Sequence, residues 1–279
     1  MTPMTKLSVQ YGLSEGQSRL QILHSMSDFC RHTMLKMLSF HSTGAFLTNT
    51  LTPQGFAAVI ETIRKEIPQE EFDYQTLLTC LKGYSRPRDK ISDLLHKGII
   101  IRVKKGLYIF GDEYRRKPYS REILANLIYG PSYISLDYAL QHYGLIPERV
   151  EAVTSVTTGR ARKFATPVGF FSYRMIPLEA FRVGMDQVET GDGRTFLMAT
   201  PEKSLADKLQ DDRGAGIQTQ KELSNYLEQS MRIDPAALKE LKPADLDQIA
   251  QRYRSRKIRL LSDIVRQMRR QTREEAGHA

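Results

Sequence analysis

The order of structural signals in residues 51–112 constrains the fold most, because three short helices lead at once into a β-hairpin. Pro53 is favoured at the first position of a helix, and Gly98 is a good helix stop. Between these signals, apolar residues recur at spacings of three and four, as on one face of a helix. The three helices are predicted over Pro53–Lys65, Phe72–Leu81 and Ser85–Lys97.

The predicted hairpin follows the third helix directly. Ile99–Val103 and Leu107–Phe110 are rich in β-branched and aromatic residues, and they flank the turn Lys104-Lys105-Gly106. Three helices that lead into a hairpin with a basic tip are typical of a winged helix-turn-helix. We therefore predict a DNA-binding domain of this kind over residues 51–112.

The rest of the chain mixes helical and β signals. Residues 120–145 are predicted as two helices that break at Gly130-Pro131, and residues 150–199 as antiparallel hairpins. In the first hairpin Glu151–Thr157 is expected to pair with Lys163–Pro167. Further predicted features are a last hairpin that turns at Gly191–Gly193, a helix that starts at Thr200, and helices over Lys221–Arg273 with breaks near Pro235 and Pro243.

The predicted fold class is therefore α+β. An N-terminal winged helix-turn-helix precedes a mixed α/β domain with antiparallel hairpins and a helical C-terminal tail. The expected segments are an N-terminal extension (1–50), the winged helix-turn-helix (51–112), the mixed domain (113–210) and a basic helical region (211–279). In the extension, apolar spacing over Gly16–Phe40 fits an amphipathic helix, and a loosely attached terminus is the alternative.

The positive charge of the chain lies in two blocks. The net charge is +9, and Lys82–Arg121 holds twelve Lys or Arg against four Asp or Glu. Gln251–Arg273 holds nine against one. Such blocks predict contacts with a polyanion.

The third helix is the predicted reader of DNA. Ile91, Leu94 and Leu95 would anchor it, and the opposite face carries cations able to reach phosphates or guanine edges. Asp89 and Asp93 share that outer face and oppose phosphate binding, unless they pair with neighbouring cations. A solvated charged surface is the alternative for both the helix and the hairpin. The predicted DNA-binding residues are Arg86, Arg88, Lys90, Lys97, Arg102, Lys104 and Lys105.

The hairpin tip predicts a salt dependence of binding. Lys104 and Lys105 together are expected to supply two phosphate contacts, each of which steepens the salt dependence by about 0.9 log units. The last helix, expected over Ile249–Arg273, also carries many cations on one side of an apolar stripe. That helix would extend DNA binding, touch RNA or an acidic partner, or present only a solvated face.

Few signals point to catalysis, a metal or a membrane. Cys30 and Cys80 are the two cysteines, and the six histidines have no metal-ligand spacing, so no metal and no cofactor is expected. The sequence has no GxxxxGK[ST] phosphate loop and no GxSxG motif, so we predict that it is not an enzyme. No signal peptide or spanning run is visible, so the expected location is the cytoplasm. Lys203 and Asp207, four residues apart on a helix, predict an ion pair worth about a few tenths of a kcal/mol.

Three sequence stretches resemble the AbiEi-type antitoxins of bacterial type IV toxin–antitoxin (abortive infection) systems. They are Leu94-Leu95-His96-Lys97-Gly98-Ile99 with Lys105-Gly106-Leu107-Tyr108, then Pro131–Leu140 with Tyr143–Glu148, and Thr200–Asp207. The resemblance covers about Thr52–Leu209. The motif residues that it singles out in the second domain are Tyr133, Ser135, Arg160, Arg162, Lys203 and Asp207.

The resemblance implies a function. Members bind inverted repeats at their own promoter through the winged helix and repress their operon. The following domain counters a nucleotidyltransferase-like toxin encoded nearby, without a stable complex. The implied partners are thus double-stranded operator DNA and, functionally, that toxin. About fifty residues before the first helix depart from the family pattern.

Two other functions remain open from the sequence. One is a plain winged-helix transcription factor whose second domain binds a ligand or drives oligomerisation. The other is a nuclease that uses residues 113–210, which is disfavoured because no cluster of acidic metal ligands is visible there. A nucleotidyltransferase-like neighbouring gene would favour the antitoxin.

Overall fold

The computed structural model describes residues 53–212 and 216–277. The predicted extension 1–50, with its helix Gly16–Phe40, lies outside the described residues. Contact clustering places Pro53–Ala279 in one compact unit. This unit combines helices with two β-sheets, so the α+β class is confirmed.

The first part of the unit holds three helices and a small sheet. Its elements are α1 (Pro53–Glu66), β1 (Glu71–Asp73), α2 (Tyr74–Cys80), α3 (Pro87–His96), β2 (Ile100–Lys104) and β3 (Leu107–Phe110). The strands are ordered β1-β3-β2 and all pair antiparallel, which confirms the hairpin. Gly98 ends α3 with φ of 67°, a left-handed conformation that favours glycine.

The second helix starts later than the sequence suggested. A helix over Phe72–Leu81 was expected, but Glu71–Asp73 forms a strand on the edge of the small sheet. The side chain of Asp73 then accepts a hydrogen bond from the backbone N–H of Thr76 at 2.7 Å and caps α2. The prediction was wrong at this end because Phe72 packs on Tyr108 and Phe110 of β3, a contact between residues distant in sequence.

A six-stranded mixed sheet forms the centre of the unit. The next elements are α4 (Arg121–Ile128), β4 (Ser132–Ile134), α5 (Leu136–His142), β5 (Val153–Thr157), β6 (Arg162–Thr166), β7 (Gly169–Met175), α6 (Leu178–Phe181), β8 (Met185–Glu189) and β9 (Thr195–Ala199). Their order in the sheet is β6-β7-β5-β4-β9-β8. The pairs β4–β9 and β5–β7 are parallel, and the others are antiparallel.

The sheet corrects two expectations. β5 and β6 were expected to pair as a hairpin, but β7 lies between them and pairs with both. β7 takes the inner position because Phe171 and Tyr173 bury their rings there, whereas β6 is exposed along much of its length. Residues 120–145 were expected to be helical on both sides of the break at Gly130-Pro131, but the strand β4 follows the break before α5 begins. The β8–β9 hairpin is confirmed.

Helices complete the chain. They are α7 (Pro201–Asp211), α8 (Gln220–Asn225), a π-helical turn (Tyr226–Ser230), α9 (Pro235–Glu240), α10 (Pro243–Tyr253) and α11 (Arg256–Gly277). Pro235 and Pro243 begin their helices, as predicted. The single helix expected over Ile249–Arg273 is wrong, because Arg254 takes φ of 53° and separates α10 from α11.

The apolar clusters cross the predicted domain boundaries. Val103, Leu107 and Ile109 of the small sheet are buried in one cluster with residues of α4 and of the large sheet. A second cluster joins α5 and α7 to the C-terminal helices. The boundaries at 112 and 210 stay a prediction, but the segments on either side of each share a core. None of the described helices is long and apolar enough to span a bilayer.

Candidate nucleic-acid interface and buried motif cluster

Helix α3 packs inward through Ile91 and Leu94, and some of its cations face outward. Arg86 and Arg88 are exposed at its beginning. Lys97, just after its end, is also exposed, and its Nζ lies 3.1 Å from the centroid of the Phe56 ring. These three cations have the exposure that the predicted DNA-binding role requires.

Lys90 lacks the exposure that a DNA-binding role requires. Only 8% of the residue is exposed, and its Nζ lies 5.0 Å and 5.7 Å from the ring centroids of Phe56 and Tyr84. The outward placement expected for Lys90 is wrong because its long stem packs beneath these rings while its ammonium reaches Asp93 at 3.8 Å. Lys90 is therefore not available to DNA in this structure.

The two carboxylates of α3 pair with nearby cations. Asp89 lies 3.8 Å from Arg86, and Asp93 lies 3.8 Å from Lys90. Both distances are long, and the Arg86 pair is open to solvent, so it contributes little to stability. The pairing reduces the negative potential that these carboxylates would present to a phosphate.

The hairpin tip is divided between solvent and protein. Arg102 and Lys105 are exposed. Lys104 is half-buried, and its Nζ donates a 2.6 Å hydrogen bond to the carbonyl of Ile128 at the end of α4. Its ammonium also lies 5.3 Å from the Phe164 ring centroid of β6. The three cations of the tip were expected to act alike, but they differ in how accessible they are to DNA.

The same contacts connect the hairpin to the edge strand β6. The rings of Phe164 and Tyr129 are 6.0 Å apart, and the guanidinium carbon of Arg162 lies 5.5 Å from the Tyr129 centroid. Arg160 and Arg162 are exposed. Arg162 thus lies in β6 close to residues that contact the hairpin, and Arg160 precedes the strand by two positions.

Tyr133, Ser135, Lys203 and Asp207 come together in the interior, and we call them, with Tyr253, the buried cluster. The Ser135 hydroxyl donates to Oδ2 of Asp207 at 2.6 Å. The Lys203 ammonium and the Tyr253 hydroxyl both donate to Oδ1 of the same carboxylate. Lys203 also donates to the Tyr253 hydroxyl at 3.1 Å. Neither Lys203 nor Asp207 has any exposed side-chain surface.

Local sequence explains how α7 presents this pair. Thr200 caps the helix by accepting from the backbone N–H of Lys203, and Pro201 occupies its first turn. A spacing of four places Lys203 and Asp207 on one face, so the predicted ion pair is confirmed. The burial of Lys203 was not foreseen. The small stabilisation expected of an exposed ion pair does not apply to a pair removed from water.

Burial dominates the electrostatics of the cluster. It lowers the pKa of the Lys203 ammonium, an effect that the attraction of Asp207 opposes. Burial raises the pKa values of Tyr133 and Tyr253 above the ordinary tyrosine range, and the negative charge of Asp207 acts in the same direction. Both tyrosines therefore keep their protons at neutral pH.

Two features of the cluster escaped sequence reasoning. Tyr253 comes from the end of α10, and no local pattern connects it to Asp207 on α7. The second feature is the Tyr133 hydroxyl, which has no hydrogen-bond partner among the described residues although the ring packs against Phe181 at 4.8 Å. A buried hydroxyl without a partner costs stability.

The cluster combines one carboxylate, one ammonium and three hydroxyl groups. In the part of the chain that the structure describes, no group of three or more His, Cys, Asp or Glu side chains could hold a metal ion. Comparison with known proteins gives no match, since no protein-family model and no curated protein matches the chain.

Proposed function

We propose that the chain is a DNA-binding transcriptional regulator whose residues 53–111 act as a winged helix-turn-helix. The observation that carries the proposal is the placement of exposed cations on α3 and on the adjacent hairpin. α3 is anchored by buried apolar residues on one side and leaves Arg86 and Arg88 in solvent on the other. The β2–β3 hairpin follows at once and exposes Arg102 and Lys105.

The geometry is suited to a duplex because helix and hairpin offer two separate sets of contacts. A recognition helix of this kind enters the major groove, and the hairpin lies along the backbone or the minor groove. Contacts to phosphates supply affinity that weakens with salt, whereas contacts to base edges supply sequence preference. Arg102 and Lys105 fit the first role, and Arg86 and Arg88 are placed for either.

The resemblance to the AbiEi-type antitoxins extends the proposal. On this reading the protein represses its own operon from inverted repeats and counters a nucleotidyltransferase-like toxin in the cytoplasm, without a stable complex. This extension is supported by the buried cluster, in which four of the six motif residues meet. They are Tyr133, Ser135, Lys203 and Asp207. Arg160 and Arg162 lie apart from it, on the β6 side.

DNA binding is tested by footprinting the purified full chain on the region upstream of its own gene. We expect protection of repeated sites, and weaker binding for a variant with Arg86→Ala and Arg88→Ala. Lys221→Ala, which removes an exposed cation from α8, is the matched control and should bind normally. The proposal would be overturned if the double variant and the Lys221→Ala control each bound the upstream region no more tightly than unrelated DNA.

The antitoxin function needs a separate test. Where a nucleotidyltransferase-like gene neighbours this one, that gene is induced with and without this chain, and cell growth is followed. Arg160→Ala with Arg162→Ala should reduce protection if the exposed motif residues act on the toxin or its target. Repression without protection would leave a plain winged-helix regulator, the second candidate, as the function.

A further inference from the structure

A cavity of about 330 Å³ lies beside the buried cluster, where the end of β7 meets α5, α7, α10 and α11. Asp207 and Tyr253 of the cluster form part of its wall. A volume of this size is at the lower end of the range for small-molecule sites in proteins. The cavity therefore lies directly beside a set of polar groups whose central ion pair has no exposed side-chain surface.

One wall of the cavity is apolar. Leu136, Val156 and Ile176 line it with buried side chains. Met175, which is largely exposed, stands at the same site and offers a flexible apolar surface. These side chains form the apolar part of a lining that is otherwise mostly polar, so a ligand with both an apolar and a polar part fits the cavity.

The opposite side carries more positive than negative charge. The guanidinium of Arg174 is 3.3 Å from Asp211, and Lys203 and Asp207 compensate each other. Lys257 has no carboxylate partner within 4 Å in the described residues. Its ammonium donates instead to two backbone carbonyls, of Leu209 at 3.4 Å and Asp212 at 3.2 Å. Lys257 thus contacts the C-terminal carbonyls of α7 and lacks a carboxylate partner, so its positive charge can also attract an anionic ligand.

The backbone at the apolar wall is strained. Leu136 has φ of 61°, a left-handed conformation that is unfavourable for a residue with a side chain. Strain of this kind is held by its surroundings and is concentrated at ligand sites and active sites. Leu136 follows Ser135, which bonds to Asp207, so the cluster fixes the strained residue in the wall.

We propose that this cavity binds a small organic anion. Its apolar body lies against Leu136, Val156 and Ile176, and its carboxylate or phosphate accepts hydrogen bonds from Lys257 and Arg174. Such a ligand connects the large sheet with α7 and α11. The inference stands on the cavity alone and does not depend on DNA binding.

The test is titration calorimetry of the full chain with four probes. They are 2-naphthoate, 2-naphthyl phosphate, the neutral 2-naphthamide and inorganic phosphate. We expect saturable millimolar or tighter binding of at least one naphthyl anion, and binding at least about tenfold weaker for the amide. The stronger of the two anions identifies the acidic group, and weak binding of inorganic phosphate shows that the apolar body is needed.

Variants locate the bound probe. Lys257→Gln and Arg174→Gln should each weaken the naphthyl anions about tenfold, the effect of one lost charge-assisted hydrogen bond. Lys65→Gln removes an exposed cation on α1 and should change nothing. Gln210→Glu adds a carboxylate to the cavity wall without altering shape, and it should weaken both anions even if Lys257→Gln lowers stability. Equal binding of amide and anions, or no saturable binding, would overturn the inference.

Discussion

Lys203 and Asp207 form an ion pair, one helical turn apart on α7, from which solvent is excluded on every side. Each ion needs the other, because an isolated charge in this interior has no water to solvate it. Ser135 and Tyr253 donate hydrogen bonds to the carboxylate, so the pair connects the junction of β4 and α5 with α7 and α10. This arrangement determines how the protein should respond to substitution.

Lys203→Met should therefore destabilise the protein by about 3–5 kcal/mol, since it leaves Asp207 buried without its cation. Adding Asp207→Leu to this variant should restore much of the loss, because no uncompensated charge then remains. Denaturant unfolding measures both variants. Arg86→Ala breaks an exposed pair as the control and should cost less than about 1 kcal/mol. A Lys203→Met variant as stable as the wild type would contradict the structure.

Removing the hydroxyl group from either tyrosine of the cluster should change the stability of the protein, but in different directions for the two residues. Tyr133→Phe removes a buried hydroxyl that has no partner, so stability should stay the same or rise by about 1 kcal/mol. Tyr253→Phe removes a donor to Asp207 and an acceptor for Lys203, so it should cost about 1–3 kcal/mol. The melting temperatures of the two variants decide the matter, and loss of stability in Tyr133→Phe would mean that its hydroxyl has a partner.

Stability should fall as pH rises above about 10. Burial raises the pKa of six tyrosines among the described residues, namely Tyr133, Tyr138, Tyr143, Tyr173, Tyr226 and Tyr253. The folded protein then keeps protons that the unfolded chain releases above its ordinary tyrosine pKa, so rising pH favours unfolding. The lowered pKa of Lys203 acts in the opposite direction but is a single group.

Denaturant midpoints measured from pH 8 to pH 11, with tyrosinate absorbance followed in parallel, check this alkaline dependence. The tyrosines whose pKa values are raised by burial should ionise together with unfolding, so tyrosinate absorbance should increase as the protein unfolds. Complete ionisation near pH 10 without unfolding would show that these side chains are not buried.

Features that depend on neighbours in sequence were predictable. The caps of α7, the glycine that ends α3, the β2–β3 and β8–β9 hairpins and the Lys203–Asp207 spacing are all local signals. Each depends on residues within a few positions of one another. For that reason the helices and hairpins were located while their mutual arrangement was not.

Features that depend on distant partners were missed. β7 displaces β6 from β5 because of its buried rings, and β4 is only three residues long, too short to show a period. Lys90 faces inward because Phe56, 34 positions earlier, lies over it. Helix periodicity places a side chain on a face but does not reveal which aromatic ring the tertiary fold sets beside it.

Gly184 should be intolerant of a side chain for two reasons. It has φ of 71°, and a Cβ there would stand 2.7 Å from Cβ of Lys203. Gly193 has φ of 81° but no atom closer than 3.9 Å to its added Cβ, so Gly193→Ala reports backbone strain alone, about 1–2 kcal/mol. Gly184→Ala should cost more than this in denaturant unfolding. If both variants lost the same stability, α7 would be able to shift at Lys203 without an energetic cost.

The hairpin lysines should separate in their effects on DNA binding. Lys105 is exposed, so Lys105→Ala should reduce the slope of log affinity against log salt by about 0.9, one phosphate contact. Lys104 is held by the carbonyl of Ile128, so Lys104→Ala should leave the slope nearly unchanged and instead lower stability by about 1 kcal/mol. Fluorescence anisotropy at several salt concentrations, with unfolding curves beside it, measures both effects. The double variant with Lys104→Ala and Lys105→Ala should reduce the slope of log affinity against log salt by the amount of one phosphate contact. A loss of two contacts, as the sequence alone suggested, would mean that Lys104 leaves Ile128 when DNA binds.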